Sequence, residues 1–102
     1  MKKIHSDQAP AAVGPYSQAI MTDSFVFLSG QLGIDPETGK MVDGVEAQAE
    51  QMFKNAEAVL KEAGLGFENV VKTTVFLTDM ADFQAVNEIY ASYVKKPYPA
   101  RA

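Results

Sequence analysis

Two stretches of this chain are apolar on both sides of an extended backbone, and no other feature limits its fold as strongly. In Phe25-Val26-Phe27-Leu28 every position is apolar. Between residues 69 and 78, Val71, Val75 and Leu77 fall on one side of an extended segment, while Val70 and Phe76 fall on the other. Strands of this kind need cover on both faces. Only two amphipathic helices can be read in the 102 residues, enough for one face. The second face is therefore expected to pack against another copy of the chain.

The first helix carries the clearest pattern. Val45, Ala49, Met52, Phe53, Ala56, Val59, Leu60 and Ala63 follow helical spacing and form one apolar stripe. Asp43 is the expected N-cap, with Glu46 three residues on, and Gly64 marks the stop. Glu50 with Lys54 and Glu57 with Lys61 stand four apart and are expected to support the helix from its solvated face. A second helix is expected from Met80 to Val94, capped by Asp79, with a stripe of Phe83, Val86, Tyr90, Tyr93 and Val94. Pro97 and Pro99 stop it from continuing. Lys2 to Ile4 begins extended, and Gln8 to Pro15 is loop-like. Tyr16 to Met21 and Phe25 to Ser29 read as strands joined by Thr22-Asp23-Ser24, and Asp35 to Lys40 reads as a turn. The β-branched run from Asn69 to Thr78 reads as a central strand. This order implies an α+β subunit, a mixed sheet with both helices on one face, in a single domain spanning 1–102.

Composition removes several classes of chemistry. The chain has no cysteine and one histidine, His5, so disulfides, thiolate metal sites and multi-histidine metal sites are excluded. A net charge of −4 argues against nucleic-acid binding through the overall field. Met1 to Asp7 has a positive start but no apolar run behind it, and no stretch approaches the ~20 apolar residues of a membrane span. A cytoplasmic protein with no membrane partner is the expectation. His5-Ser6-Asp7 holds the letters of a triad, but adjacent residues do not converge in triad geometry. Gly64-Leu65-Gly66 lacks a phosphate-loop signature, and Lys95-Lys96 suits a helix C-terminus.

Two segments remain as candidates for chemistry. In Gly14-Pro15-Tyr16-Ser17-Gln18-Ala19 a tyrosine follows a rigid turn. In Pro99-Ala100-Arg101 the only arginine sits on a proline-stiffened segment, where its planar fork suits a carboxylate. The alternative for Arg101 is a surface ion pair, and for Tyr16 a half-buried core position. Ser29-Gly30 ends a strand, where glycine lets a ligand approach the backbone; a bulge or plain strand end is the alternative.

These segments, together with Phe27-Leu28-Ser29-Gly30-Gln31, the run Val70 to Asp79 and Pro97-Tyr98-Pro99-Ala100-Arg101, resemble the Rid family of reactive-intermediate deaminases, also called YjgF or L-PSP. The resemblance spans nearly the whole chain. It implies a chorismate-mutase-like subunit, a homotrimer and ligand sites in clefts between subunits. It further implies hydrolysis of enamines and imines, such as 2-aminoacrylate and its imine tautomer, to 2-keto acids and ammonia, with no metal or organic cofactor. By resemblance, Arg101 pairs with the carboxylate of a small imino or keto acid and Tyr16 donates a hydrogen bond to substrate or water. Main-chain groups at Ser29 and Gly30 would complete the binding site. Family members continue past the arginine to a final strand whose glutamate serves the hydrolytic water. The present sequence ends at Ala102, so it is expected to lack that carboxylate and the sheet's last pairing partners, and Arg101 is expected to be loosely held unless a neighbour fixes it. A non-catalytic metabolite binder on the same fold is the second expectation. An RNA-cleaving or translation-inhibiting role is the third, disfavoured by the acidic balance and the single histidine.

Overall fold

Chain direction is reversed first by a long loop over residues 5–18 and then by a tight turn over residues 22–25. In the computed structural model, which describes residues 1–102, three strands form an antiparallel sheet: β1 (Lys2–Ile4), β2 (Ala19–Met21) and β3 (Val26–Leu28), in that order. The β2–β3 connection is the expected hairpin, closed by Thr22, whose N–H donates to the Phe25 carbonyl at 2.7 Å. Then follow α1 (Val45–Glu62), a 3-10 turn at Phe67–Asn69, β4 (Lys72–Thr73), a 3-10 turn at Met80–Asp82, α2 (Phe83–Tyr93) and β5 (Ala100–Arg101). β4 and β5 are parallel, with Thr73 opposite Arg101. Parallel neighbours need a long crossover, and α2 supplies it. The mixture of antiparallel and parallel pairing with two helices is the expected α+β plan.

Both helices cover one side. Phe53 of α1 stacks on Tyr93 of α2, with centroids 4.9 Å apart and planes 11° from parallel. Tyr90 and Phe67 meet the same ring edge-on, at 5.9 and 6.0 Å. Leu28 of β3 and Val75 beyond β4 both pack under this cluster, which places the helices over both strand groups. Ile4, Ala19 and Val59 form a second cluster that Leu28 also touches. On the uncovered side Phe27 is 61 % exposed and Phe76 90 % exposed.

Several local expectations change. The Asn69–Thr78 run is only briefly a regular strand, because it pairs along one edge alone. Ala100 donates to the Val71 carbonyl, Ala102 to that of Thr73, and Val75 to that of Ala102. Val70 packs with Val75 against the core while Val71 stays 67 % exposed, so the side assignment of these two valines is reversed. Gly44 at φ +90°, and not Asp43, occupies the N-cap of α1, with no side-chain cap bond. A glycine takes that dihedral at little cost and leaves Asp43 outside. The pairs Glu50–Lys54 and Glu57–Lys61 do not close; the one side-chain contact of this kind is the hydrogen bond between His5 Nε2 and Asp7 Oδ1 at 2.9 Å. Asp79 caps the 3-10 turn that leads into α2, accepting from the Ala81 N–H at 2.9 Å, whereas the N-cap of α2 itself is Asp82, which makes no side-chain cap bond. Gly64 ends α1 at φ +76° as expected.

Two buried amides hold the loops. Gln18 Oε1 accepts from the Ser6 N–H, and its Nε2 donates to the carbonyls of Ser6 and Pro10 at 3.1 and 2.8 Å. Asn55, fully buried in α1, donates to the carbonyls of Leu32 and Ile34 at 3.0 and 2.8 Å. A buried polar group is stabilising only when its partners are present, and here every buried side-chain polar atom has one.

Candidate active site

The arginine is the centre of the first half of the candidate site. β5 lies beside β4 and under α2, so Arg101 emerges against one face of that helix. Its guanidinium carbon stands 4.8 Å from the Tyr90 ring centroid and 5.7 Å from that of Phe83. Arg101 Nη1 donates to Asn87 Oδ1 at 2.5 Å. Residues 83, 87 and 90 are spaced so as to share that helical face. The neighbour on which the expectation for Arg101 turned is present, and it is α2 of the same chain. No carboxylate pairs with it, so the surface ion-pair alternative is not realised. A guanidinium carries five N–H donors, and one is used within the chain. The rest are available to an anion.

Beside the guanidinium is a cavity of about 220 Å³ lined by Val75, Leu77, Met80, Phe83, Val86, Asn87, Tyr90, Arg101 and Ala102. It is apolar apart from the Arg101 and Asn87 head groups and the Tyr90 hydroxyl, which is bonded to Thr73 Oγ1 at 2.8 Å. Such a space suits a small molecule with one carboxylate and a short apolar body. None of its lining residues is acidic. No group of three or more His, Cys, Asp or Glu residues is placed to hold a metal ion.

The second half is the loop before β2. Tyr16 N–H donates to the Gly14 carbonyl at 2.8 Å, and the Tyr16 hydroxyl accepts from the Val13 N–H at 3.4 Å. The ring is 51 % exposed, so Tyr16 is not a core residue. Ser29 Oγ donates to the Ser17 carbonyl at 2.6 Å, and the Ser29 N–H to the Gln18 carbonyl at 2.9 Å. Thus Tyr16 and Ser29 belong to one braced unit at the end of the hairpin. Gly30 follows, exposed, with no atom within 4 Å of the position its Cβ would take. Neither Tyr16, Ser29 nor Gly30 lines the Arg101 cavity. A single chain therefore presents the expected residues in two separate groups.

Asn87 was not among the residues singled out from sequence. Its signal was there to find: a polar residue on the Phe83–Val86–Tyr90 stripe, where an apolar one fits the pattern. Glu50, read as solvated helix support, instead accepts from the Tyr93 hydroxyl at 2.7 Å. Burial, that hydrogen bond and the charges of Glu50 and Glu57 together push the Tyr93 pKa up to about 12. That pair ties α1 to α2 and sits apart from the cavity lining.

Residues 6–102 match the family described as Endoribonuclease L-PSP. The chain is 52% identical over 100 residues to the human protein named 2-iminobutanoate/2-iminopropanoate deaminase, an alignment covering 97% of this chain and 73% of the human one. It is 55% identical over 100 residues to Reactive Intermediate Deaminase A, chloroplastic, of Arabidopsis thaliana, covering 97% of this chain and 54% of that longer protein. The crystal structure of RidA from an Antarctic Psychrobacter superposes with a TM-score of 0.96 at 49% identity, covering 100% of this chain and 83% of the other. Similar in sequence and in backbone along nearly its whole length, the chain belongs to the Rid, or L-PSP, family.

Proposed function

We propose that this chain hydrolyses reactive enamine and imine intermediates of the 2-aminoacrylate and 2-iminopropanoate type to 2-keto acids and ammonia. The observation that carries the reading is the unpaired guanidinium of Arg101, laid on the Tyr90 ring at the mouth of an apolar cavity. Relatives that share half of its residues are named for that reaction.

In this reading the enamine first tautomerises to the imine. Its carboxylate pairs with the free N–H groups of Arg101, which fixes the C=N carbon in position and converts an encounter into an oriented reaction. Water adds its oxygen to C2, the C=N π pair moves to nitrogen, and the nitrogen takes up one proton from that water, giving a carbinolamine. The carbinolamine hydroxyl then loses its proton to nitrogen, the C–N bond breaks with its pair, and ammonia leaves a 2-keto acid. Tyr16 would donate a hydrogen bond from its hydroxyl that orients water or the imine nitrogen. Main-chain groups at Ser29 and Gly30 would hold the other end of the substrate.

We further propose that the site is completed in a homotrimer, with Arg101 from one copy facing Tyr16, Ser29 and Gly30 of the next. The separation of the two groups in one chain and the exposed Phe25, Phe27, Val71 and Phe76 support this. A cytoplasmic setting and a small imino or keto acid as the only ligand go with it; nucleic acid has no part in the reading.

A second reading is favoured by one observation: no Asp or Glu side chain lines the Arg101 cavity, so none of this chain's acidic side chains stands beside the anchor. The fold would then bind small keto acids without turnover. The two readings separate in one assay. A pyridoxal-phosphate dehydratase generates 2-aminoacrylate, and pyruvate release is followed with and without the chain. Acceleration that is lost in Arg101→Ala supports the hydrolase. Binding of 2-ketobutyrate without acceleration supports the binder.

A further inference from the structure

We propose that Asn87 is a positioning residue for Arg101, one jaw of a clamp on α2 whose other jaw is the Tyr90 ring. The inference deepens the reading of Arg101 as a carboxylate anchor and rests on it. The network is closed. Thr73 and Arg101 are direct partners across the β4–β5 ladder. Tyr90 bonds Thr73 Oγ1 through its hydroxyl at 2.8 Å and offers its ring to the guanidinium at 4.8 Å. Tyr90 is itself only 6% exposed and packed edge-on against Phe53, so its ring is a fixed surface. Asn87, one turn before Tyr90, takes the Nη1 edge of the fork. Stacking sets the plane of the guanidinium, and the amide sets its rotation within that plane.

The choice of an amide matters. An arginine side chain loses much rotamer freedom when a ligand fixes it, and a clamp already built into the fold removes that loss from binding. A neutral Oδ1 does so without neutralising the guanidinium. A carboxylate at the same place would form a charge-assisted pair and compete directly with the ligand's own carboxylate. Asn87→Asp, the most conservative change in shape, is therefore the more harmful one for binding. A purely structural role predicts the reverse order, with Asn87→Asp milder than Asn87→Ala. Asn87 is half-buried on a helix surface, and alanine favours helix, so the variants fold.

Arg101 is the only arginine, so its Nε–Hε group gives a single arginine side-chain resonance in a proton–nitrogen NMR spectrum. That resonance reads the clamp without any reaction. In the wild-type chain it is expected to be displaced by the Tyr90 ring current and slow to exchange. In Asn87→Ala it moves toward the free-arginine position, and the Kd for 2-ketobutyrate by calorimetry rises about three- to tenfold, the range of one hydrogen bond's ordinary net contribution. In Asn87→Asp the resonance stays ordered while the Kd rises further. In the imine assay KM follows the Kd and kcat moves less. An unchanged resonance in Asn87→Ala, or wild-type affinity in Asn87→Asp, overturns the proposal. Should the resonance respond as expected while the wild-type chain neither binds 2-ketobutyrate nor releases pyruvate, the contact of Asn87 with Arg101 is real but the reading of Arg101 as a carboxylate anchor falls, and its positioning role falls with it.

Discussion

The two halves of the candidate site are built on different principles. Around Arg101 the contacts are side chains on a rigid helix, with Tyr90 behind the fork and Asn87 at its edge. Around Tyr16 the contacts are main-chain groups of a short loop, from Gly14 and Val13 at one end to Ser17 and Gln18 at the other. The first half offers unpaired donors beside an apolar cavity, so one chain already has what carboxylate binding needs. The second offers a braced but half-exposed tyrosine and a bare glycine, neither of which lines the Arg101 cavity. Binding and turnover are thereby separable. In the reading proposed, anchoring is a property of the protomer, whereas positioning water depends on bringing a second protomer's loop to the first one's arginine.

Removing the fork should have the largest effect. Arg101→Ala is expected to weaken 2-ketobutyrate binding by about a hundredfold, because a two-pronged charge-assisted contact is lost with nothing to replace it. Calorimetry measures it, and near-wild-type affinity would place the anchor elsewhere. Next in size is Phe27→Asp on the uncovered sheet face. A charge there costs an isolated protomer little, since the side chain is 61 % exposed, but it opposes burial against a second copy. Sedimentation should show a folded monomer with most turnover gone and keto-acid binding retained. A stable trimer would shift the interface away from this face. Tyr16→Phe should lower kcat about tenfold while leaving the 2-ketobutyrate Kd unchanged, as suits the loss of one hydrogen bond used in the reaction. A change in Kd of the same size would put Tyr16 in the anchoring half. Smallest is an effect outside both halves. Tyr93 keeps its proton up to about pH 12, against 10.0 for an unperturbed tyrosine. Its contribution to stability is therefore full below pH 10 and is lost as pH rises toward 12. The gap in stability between the wild-type chain and Tyr93→Phe, followed by urea unfolding, should narrow over that interval, and a gap that widens would contradict the Glu50 contact.

What the sequence reveals and what it hides follow the range of each interaction. The α1 stripe from Val45 to Ala63, its stop at Gly64 and the Thr22 hairpin are periodic or local, so they are legible as written. The Rid-like segments mark Arg101, Tyr16, Ser29 and Gly30, yet say nothing of how they are grouped. That grouping depends on the register of β5 against β4, two segments 28 residues apart at Lys72 and Ala100. Asn87 escapes for the same reason, because its partner arrives only after the crossover closes. Gln18 and Asn55 look like ordinary polar residues until the loops they hold are folded over them. Asp43 illustrates the opposite failure: a good local signal for a cap is overridden by the backbone turn that Gly44 permits.

The sharpest test of a site shared between copies is to mix two inactive variants. Arg101→Ala and Tyr16→Ala would be unfolded together in equal amounts, refolded, and assayed for pyruvate release from 2-aminoacrylate. If the halves come from neighbouring copies, random assembly in a closed ring regenerates about a quarter of the sites with both residues intact, and activity returns to about that fraction of wild type. If the mixture forms mixed oligomers and stays as inactive as its components, both residues act within one chain and the proposed division of the site is wrong.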